Sequence, residues 1–153
     1  MSENNQTSEI NEKQSTLPSW FKTVAILAIV WNCLGLLSFV MHTMMTPEML
    51  AGLPEAEQNL MLNYPVWASA AFGAAVIFGV LGSILLLMKK AVSFECYLIS
   101  LIAVVIQDYH WFVMENVIPV LGMSSLIMPS LILIIGSALL VFSSKAKKNG
   151  WLY

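Results

Sequence analysis

The sequence predicts an all-α integral membrane protein: a four-helix transmembrane bundle with a short periplasmic helical connection between spans 1 and 2. Its composition is 58% hydrophobic and only 10% charged, whereas soluble domains carry about 25% charged residues. Four apolar runs are each close to the length of about 20 residues that a helix needs to cross a bilayer. The basic residues fall only in the two terminal segments and in the connection between the second and third runs. The chain also has no basic tract of the kind that binds nucleic acid.

The N-terminal segment, residues 1–17, is rich in Ser, Asn, Gln and Glu and has almost no apolar residues. Such a segment cannot bury enough apolar surface to fold by itself, so we expect a disordered cytoplasmic tail. It lacks the basic beginning of a cleaved signal peptide, and no small-x-small cleavage site follows the first apolar run. We therefore expect the first span to remain in the mature protein.

The membrane domain is predicted over residues 18–143, with its first span at about 20–42. Pro18 and Ser19 suit the start of a helix, and Trp20 suits the headgroup layer of a membrane. The sequence therefore places the first helix boundary just before Trp20.

The connection between the first and second spans is the longest one. It contains Thr46-Pro47-Glu48, which is typical of an N-cap, a proline at the first helical position and an acid in the first turn. Leu53-Pro54-Glu55 repeats this signal. We expect one or two short helices here, resting on the membrane surface or on the bundle.

The second and third spans are predicted at about 65–88 and 91–113, and they meet at Lys89-Lys90. A connection this short can only turn a helical hairpin back across the membrane. The fourth span, at about 124–143, contains Pro129 and Gly136. Membrane helices tolerate such interruptions where neighbours satisfy the freed backbone groups. Residues 144–153 are predicted to form a basic cytoplasmic tail.

The distribution of lysines predicts the orientation of the bundle. All basic residues lie in the N-terminal segment, the turn between the second and third spans, or the C-terminal segment. The connections between spans 1 and 2 and between spans 3 and 4 contain no basic residue and hold Glu48, Glu55, Glu57 and Glu115. Because lysines favour the cytoplasmic side, both termini and the middle turn are predicted to be cytoplasmic. Besides Lys13 in the tail, the residues that carry this prediction are Lys22, Lys89, Lys90, Lys145, Lys147 and Lys148.

Small and polar residues recur at helical spacing along three of the spans. Helices in a bilayer associate through close packing and polar contacts, so these stripes are predicted to face the bundle interior. The helix-packing stripe of the second span consists of Ala68, Ala71, Ala75, Gly79 and Gly82. The first span has a similar stripe that includes Asn32, which is expected to make an interhelical hydrogen bond.

Polar residues of the first and third spans are predicted to lie at a similar height near the outer interface. His42 is twenty residues beyond Lys22, and His110 is twenty beyond Lys90. If these spans touch, they form a small polar pocket open to the outside. The residues of this candidate polar pocket are Ser38, His42, Gln107, Asp108 and His110.

Three interpretations of this pocket stay open. Its residues can simply anchor helix ends at the interface, where polar groups cost least. They can bind a small ligand or a transported solute. They can also bind a soft metal such as copper through His42, His110 and Asp108 with nearby methionines. Asp108 and His110 are two residues apart and so do not share a helix face, and we assign no metal site and no cofactor.

Several sequence runs together resemble a known group of proteins. They are the run from Ile26 to Gly35, the run from Met45 to Leu50, Pro65-Val66-Trp67-Ala68, the Gly-rich second span ending in Lys89-Lys90, and Gly150-Trp151. Over about residues 17–151 the chain resembles short bacterial four-span proteins that are often labelled "sugar transporter". The resemblance implies a multi-pass protein of the bacterial inner (cytoplasmic) membrane, and it carries over no substrate and no site residue.

Two functions are expected from the sequence. The first is a non-enzymatic structural or accessory component that packs in the lipid bilayer against a membrane-protein partner or a second copy of itself. The second is a small oligomeric transporter for a polar solute, with a sugar suggested by the resemblance alone. No phosphate-binding loop and no nucleophile-base-acid set is recognisable, so an enzyme is not expected.

Overall fold

Four long apolar helices make up most of the chain, as the sequence predicts. The structure, a computed structural model, describes residues 17–153, so the predicted tail lies outside the described residues except for Leu17. The helices long and apolar enough to cross a membrane are Trp20–Thr43, Val66–Leu87, Ser93–Met114 and Met123–Lys148. The described part of the chain contains no strand. The predicted all-helical class with four candidate membrane spans is therefore confirmed.

We number the α-helices in chain order. They are α1 (Trp20–Thr43), α2 (Pro47–Ala51), α3 (Glu55–Leu62), α4 (Val66–Leu87), α5 (Ser93–Tyr109), α6 (Ile118–Leu121) and α7 (Ile127–Lys148). One turn of π-helix, His110–Met114, continues α5, and one turn of 3-10 helix, Met123–Leu126, leads into α7. The predicted helical connection between the first two spans is thus formed by α2 and α3.

Helix α4 is the centre of the arrangement. It packs along both α1 and α5, and α5 in turn packs against α7. Helices α1 and α7 are not packed along their length. They meet through aromatic side chains at one end only, where the Phe21 and Phe142 rings are 5.6 Å apart.

The end at which α1 and α7 meet is also where the described lysines lie, and we call it the lysine end. Trp20 and Phe21 at the start of α1 contact Trp151, with ring centroids 5.9 and 6.1 Å apart. Phe21 is fully buried there. The other end, which carries α2, α3 and α6, is called the opposite end.

Small residues allow α4 to approach both of its neighbours. Ala68, Ala75, Gly79 and Gly82 of the predicted stripe are buried, and Ala71 is partly buried. A Cβ atom added to Gly79 would overlap the Asn32 side chain of α1 and would lie 3.4 Å from the Ser100 hydroxyl of α5. Glycine at position 79 therefore lets three helices come together at one point.

Helix α4 ends in a Schellman motif, the common hydrogen-bonded helix terminus that needs a left-handed residue. The Lys89 N–H donates to the Leu86 carbonyl, and the Lys90 N–H donates to the Leu85 carbonyl. Lys89 has φ +60°, a conformation that glycine adopts more readily than lysine. The short hairpin between α4 and α5 is built on this strained residue.

Helix α7 ends with the same motif, but here glycine occupies the left-handed position. Gly150 has φ +72°, its N–H donates to the Lys147 carbonyl, and the Trp151 N–H donates to the Ala146 carbonyl. The prediction ended this span at residue 143, whereas the helix continues to Lys148. Lysines at a helix C-terminus interact favourably with the helix dipole, which explains the extension into the basic segment.

The last residues of the chain return to the α4–α5 turn. The Ala91 N–H donates to the Tyr153 carbonyl at 2.9 Å, and the Tyr153 N–H donates to the Lys89 carbonyl at 2.8 Å. The Lys90 ammonium lies over the Tyr153 ring, 4.2 Å from its centroid. The C-terminal segment therefore fastens α7 to the central hairpin at the lysine end.

Pro129 does not interrupt the fourth span, in contrast to the sequence prediction. It is the third residue of α7, which begins at Ile127. In the first helical turn the missing N–H of proline has no intrahelical partner to lose, so the helix is preserved.

Candidate functional site

A cavity of about 470 Å³ lies between α1, α5 and α7 and is partly open to the outside of the bundle. Helix α4 contributes a smaller part of its wall through Phe72, Ala75 and Val76. The cavity occupies the space that α1 and α7 leave open, because these helices meet only at the lysine end. Most of its wall is apolar and includes Leu34, Leu101, Val104, Met128, Ile132 and Leu139.

Three residues of the predicted polar pocket line this cavity. They are Ser38 from α1 and the adjacent Gln107 and Asp108 from α5. The Ser38 hydroxyl donates to the Leu34 carbonyl of its own helix at 3.0 Å. The Asp108 Oδ2 atom is buried and has no hydrogen-bond partner among the described residues. Asp108 therefore lines the cavity through its other atoms, and its Oδ2 atom is enclosed by the protein.

The two histidines of the predicted pocket do not line the cavity. They lie beside it in a group of rings that we call the histidine–aromatic cluster, which consists of His42, Tyr64, Trp67, Phe72, His110 and Trp111. The Tyr64 ring contacts both histidines, with centroids 4.9 Å from His42 and 5.2 Å from His110. The structure therefore brings the histidines to one tyrosine rather than to Asp108.

His110 is the most deeply buried member of the histidine–aromatic cluster, with 2% of its surface exposed. Its Nε2 atom is 3.5 Å from the Glu115 Oε1 atom, and its Nδ1 atom has no hydrogen-bond partner among the described residues. The Trp67 ring packs edge-on against it at 5.1 Å. The histidine is therefore held by aromatic packing and by one long contact with a carboxylate.

Tyr64 precedes the second span and has a buried hydroxyl without a formed hydrogen bond in the described part of the chain. Burial raises the pKa of Tyr64; the Trp111 side chain acts against this, and the negative charge of Asp108 adds to it. The Tyr64 hydroxyl thus lies in a desolvated position near Asp108.

The π-helical turn gives this region its geometry. The Glu115 N–H donates to the His110 carbonyl at 3.0 Å, which inserts one extra residue into the helical repeat. Turns of this kind occur frequently at functional sites. Because the helix is regular up to Tyr109, this turn changes the spacing of the residues that follow His110 and not that of His110 itself.

Asn32, the predicted interhelical residue, takes part in a hydrogen-bond network across three helices. Its Nδ2 group donates to the Ser83 hydroxyl of α4 at 3.1 Å and to the Ala28 carbonyl at 2.9 Å. The Tyr97 hydroxyl of α5 donates to the same Ser83 oxygen at 3.0 Å. Asn32 and Tyr97 also line the cavity, so this network forms its wall on the side of the lysine end.

The described His, Cys, Asp and Glu side chains do not assemble a metal site. No group of three or more His, Cys, Asp or Glu side chains between residues 17 and 153 is arranged to hold a metal ion. In particular, His42 and His110 face Tyr64, whereas Asp108 lines the cavity.

Several residues of the site were missed in the sequence. Ser83 follows Gly79 by four residues and so continues the small-residue stripe, which is a signal that could have identified it. Tyr64 lies two residues before a span and Tyr97 near the start of another. Nothing in the sequence indicates that either of them contacts a second helix.

The fold and the site define a small helical bundle with four candidate membrane spans and a partly open cavity between three of its helices. No protein-family model, no curated protein and no solved structure matches the chain. The resemblance to short bacterial four-span proteins therefore stays a prediction from the sequence.

Proposed function

We propose that this chain is a non-enzymatic protein of the bacterial inner membrane that binds a small, mainly apolar molecule inside its bundle. The cavity carries this proposal. Its volume of about 470 Å³ falls within the range of roughly 300–1,000 Å³ that small-molecule sites occupy. Membrane helices normally associate by close packing, so an unfilled space of this size between three helices favours an occupant.

The chemistry of the wall supports binding rather than catalysis. The Ser100 hydroxyl donates to the Ala75 carbonyl at 2.7 Å, and the Ser125 hydroxyl donates to the Gly122 carbonyl at 2.7 Å. Ser38 likewise donates to a main-chain carbonyl. Because these hydroxyl protons are directed to the backbone and not to a base, the serines of the cavity are not activated as nucleophiles.

The lysines support the orientation that we propose. Both termini and the α4–α5 turn lie in the cytoplasm, and the opposite end, with α2 and α3, lies in the periplasm. In this orientation the polar part of the cavity wall, at Gln107 and Asp108, is nearer to the outer face of the membrane.

Transport of a polar solute is a second candidate, and the polar residues Ser38 and Gln107 in the cavity wall favour it. At the lysine end, however, Trp20, Phe21 and Trp151 pack together. A transporter would have to separate these rings to open a path. Solute uptake by reconstituted vesicles that Gln107→Leu abolishes would support this candidate.

The proposal is tested by filling the cavity. Val104 and Ile132 line it from α5 and α7, so Val104→Phe combined with Ile132→Phe should occupy part of its volume. The matched control is Val105→Phe with Ile134→Phe, because those side chains are 54% and 66% exposed on the outside of the bundle. The three proteins are released from lipid nanodiscs and weighed by native mass spectrometry.

We expect the unmodified protein and the outward-facing control to retain an added mass from a bound small molecule, and the cavity-filled variant to lose it. The reason is that two added rings compete with the ligand for the same space. The same adduct pattern on all three proteins would show that the retained molecules lie elsewhere and would contradict the proposal.

A further inference from the structure

The four long helices form an open arc. Helix α1 packs on α4, α4 packs on α5 and α5 packs on α7, whereas α1 and α7 meet at the lysine end through the Phe21 and Phe142 rings. The cavity-lining residues Leu34 of α1 and Met128 of α7 are 55% and 58% exposed. The cavity is therefore open on the side between α1 and α7, at a gap bordered by Leu34 and Met128 that we call the lateral cleft.

The cavity extends along the helices. From Tyr97 to Phe112, every turn of α5 and of its π-helical extension contributes a residue to the wall. The other long wall runs in the same way from Ser125 to Leu139. At about 1.5 Å per helical residue, each wall is roughly 20 Å long. A volume of about 470 Å³ spread over that length is much longer than it is wide, which suits a linear chain better than a compact ring system.

The free hydrogen-bonding groups of the wall lie toward the opposite end. Near the lysine end, the donor groups of Asn32 and Tyr97 are used by Ser83 and by the backbone. The Gln107 amide, which lies closer to the opposite end, has no hydrogen-bond partner among the described residues. An amide both donates and accepts, so it suits a polar group without selecting its charge. The wall thus fits a molecule with a long apolar part and one polar end.

We infer that the occupant of the cavity is one acyl chain of a membrane phospholipid, which enters through the lateral cleft. The chain lies along Leu101, Val104 and Ile132, and the ester end of the lipid is directed to the opposite end, on the side of Gln107. Because the cleft opens toward the hydrocarbon core, the second chain stays in the bilayer and the lipid does not leave the membrane to bind. This inference rests on the proposed function, because it names the molecule that the cavity binds.

The test uses a phosphatidylcholine that carries a photoreactive diazirine in the middle of one palmitoyl chain. A small fraction of it is mixed into phosphatidylcholine nanodiscs that hold the full-length protein, and the residues labelled on illumination are identified by mass spectrometry. A parallel sample contains free palmitic acid with the same diazirine. We expect the phospholipid to label Leu101 in the cavity as well as Ile77, which is 47% exposed on the outside of α4 and serves as the reference.

Filling the cavity should remove the label from Leu101 and leave the reference label unchanged. In the variant with Val104→Phe and Ile132→Phe we expect the labelling of Leu101 to fall about tenfold, because the added rings occupy the space of the chain. The matched control, Val105→Phe with Ile134→Phe, should keep this label. If the cavity-filled variant is not monodisperse, the unmodified protein decides the test, since a lack of label at Leu101 overturns the inference.

Three outcomes would overturn the inference. Labelling of Leu101 by free palmitic acid and not by the phospholipid would exclude a membrane lipid as the occupant. Equal labelling of Leu101 in the cavity-filled and unmodified proteins would show that the chain reaches this residue from outside the cavity. No label at Leu101 from either probe, together with an added mass in native mass spectrometry that the cavity-filled variant loses, would exclude an acyl chain and leave the proposed binding function in place.

Discussion

At the scale of single residues, the Ser83 hydroxyl is the most constrained polar group between the helices. It donates to the Gly79 carbonyl at 2.8 Å and accepts from Asn32 Nδ2 and the Tyr97 hydroxyl. A hydroxyl has one proton and two lone pairs, so its hydrogen-bonding capacity is fully used. One small side chain thereby connects α1, α4 and α5.

Replacing Ser83 by alanine should therefore destabilise the bundle. The change leaves Asn32 Nδ2 with only its bond to the Ala28 carbonyl and leaves the Tyr97 hydroxyl without its acceptor. We expect a loss of about 1–2 kcal/mol in the free energy of unfolding, as for other polar contacts between membrane helices. Unfolding of the protein in mixed micelles, followed by circular dichroism, measures this loss.

The matched control for this prediction is Ser137→Ala. Ser137 lies on the exposed side of α7, so its replacement should leave the free energy of unfolding nearly unchanged. Equal effects of the two substitutions would mean that the Ser83 network does not hold the helices together.

At the scale of the elements, the two helix ends at the lysine end differ in how well their residues suit the backbone. Both end in Schellman motifs, but α7 has Gly150 in the left-handed position and α4 has Lys89, at φ +60°. A left-handed conformation costs a residue with a side chain roughly 1–2 kcal/mol. Lys89 therefore makes this turn less stable than glycine would. Unlike glycine, it carries a positive charge.

Lys89→Gly should stabilise the folded bundle by about 0.5–1 kcal/mol, because glycine relieves the left-handed strain but loses more chain entropy on folding. Thermal unfolding monitored by size-exclusion chromatography measures the change. Lys90→Gly is the control: it removes the same charge from the same turn, and it also loses the contact with the Tyr153 ring. Lys90→Gly should lower the midpoint temperature of thermal unfolding. A lower midpoint temperature for Lys89→Gly as well would contradict the strain that we assign to Lys89.

The elements were largely predictable from the sequence. Hydropathy and length are sufficient to locate spans, because each must be apolar over its whole crossing. The Thr46-Pro47 signal also identified the start of α2, where the Thr46 side chain accepts from the Met49 N–H. The end of α7 was placed too early, since lysines in the last helical turn were assigned to a tail.

The contacts between elements were much less predictable. Asn32 was expected to bond another helix, but its partner Ser83 depends on how α1 and α4 are rotated and shifted relative to each other. The π-helical turn at His110 changes the spacing within one helix and has no clear pattern in the sequence. Gln107 and Asp108 line the cavity, whereas His110 packs against Tyr64.

At the scale of the whole molecule, the two ends of the bundle differ in character. The lysine end is closed by aromatic packing and by the C-terminal segment, whose Tyr153 backbone pairs with Lys89 and Ala91. Toward the opposite end the bundle holds the cavity and the unsatisfied atoms of Tyr64, Asp108 and His110. We expect from this asymmetry that the proposed ligand enters from the opposite end.

The sequence alone could not reveal the cavity. Its existence depends on α1 and α7 meeting at Phe21 and Phe142 without packing further along their length. The stripe of α1 that includes Asn32 does face the cavity, but no such stripe was predicted for α7, so the sequence did not show which face of α7 lines the cavity and which faces lipid. The same difficulty applies to α5, where Val104 lines the cavity and the adjacent Val105 is exposed on the outside of the bundle.

The arrangement of the whole molecule is tested most directly by its topology in living cells. Alkaline phosphatase, which is active only outside the cytoplasm, is placed after Tyr153 in one fusion and inserted after Gly52, in the exposed connection between α2 and α3, in another. We predict activity for the Gly52 insertion and none for the Tyr153 fusion, because four spans with cytoplasmic lysines return the C-terminus to the cytoplasm. An active fusion at Tyr153 would contradict the orientation and with it a cavity whose polar wall lies toward the periplasm.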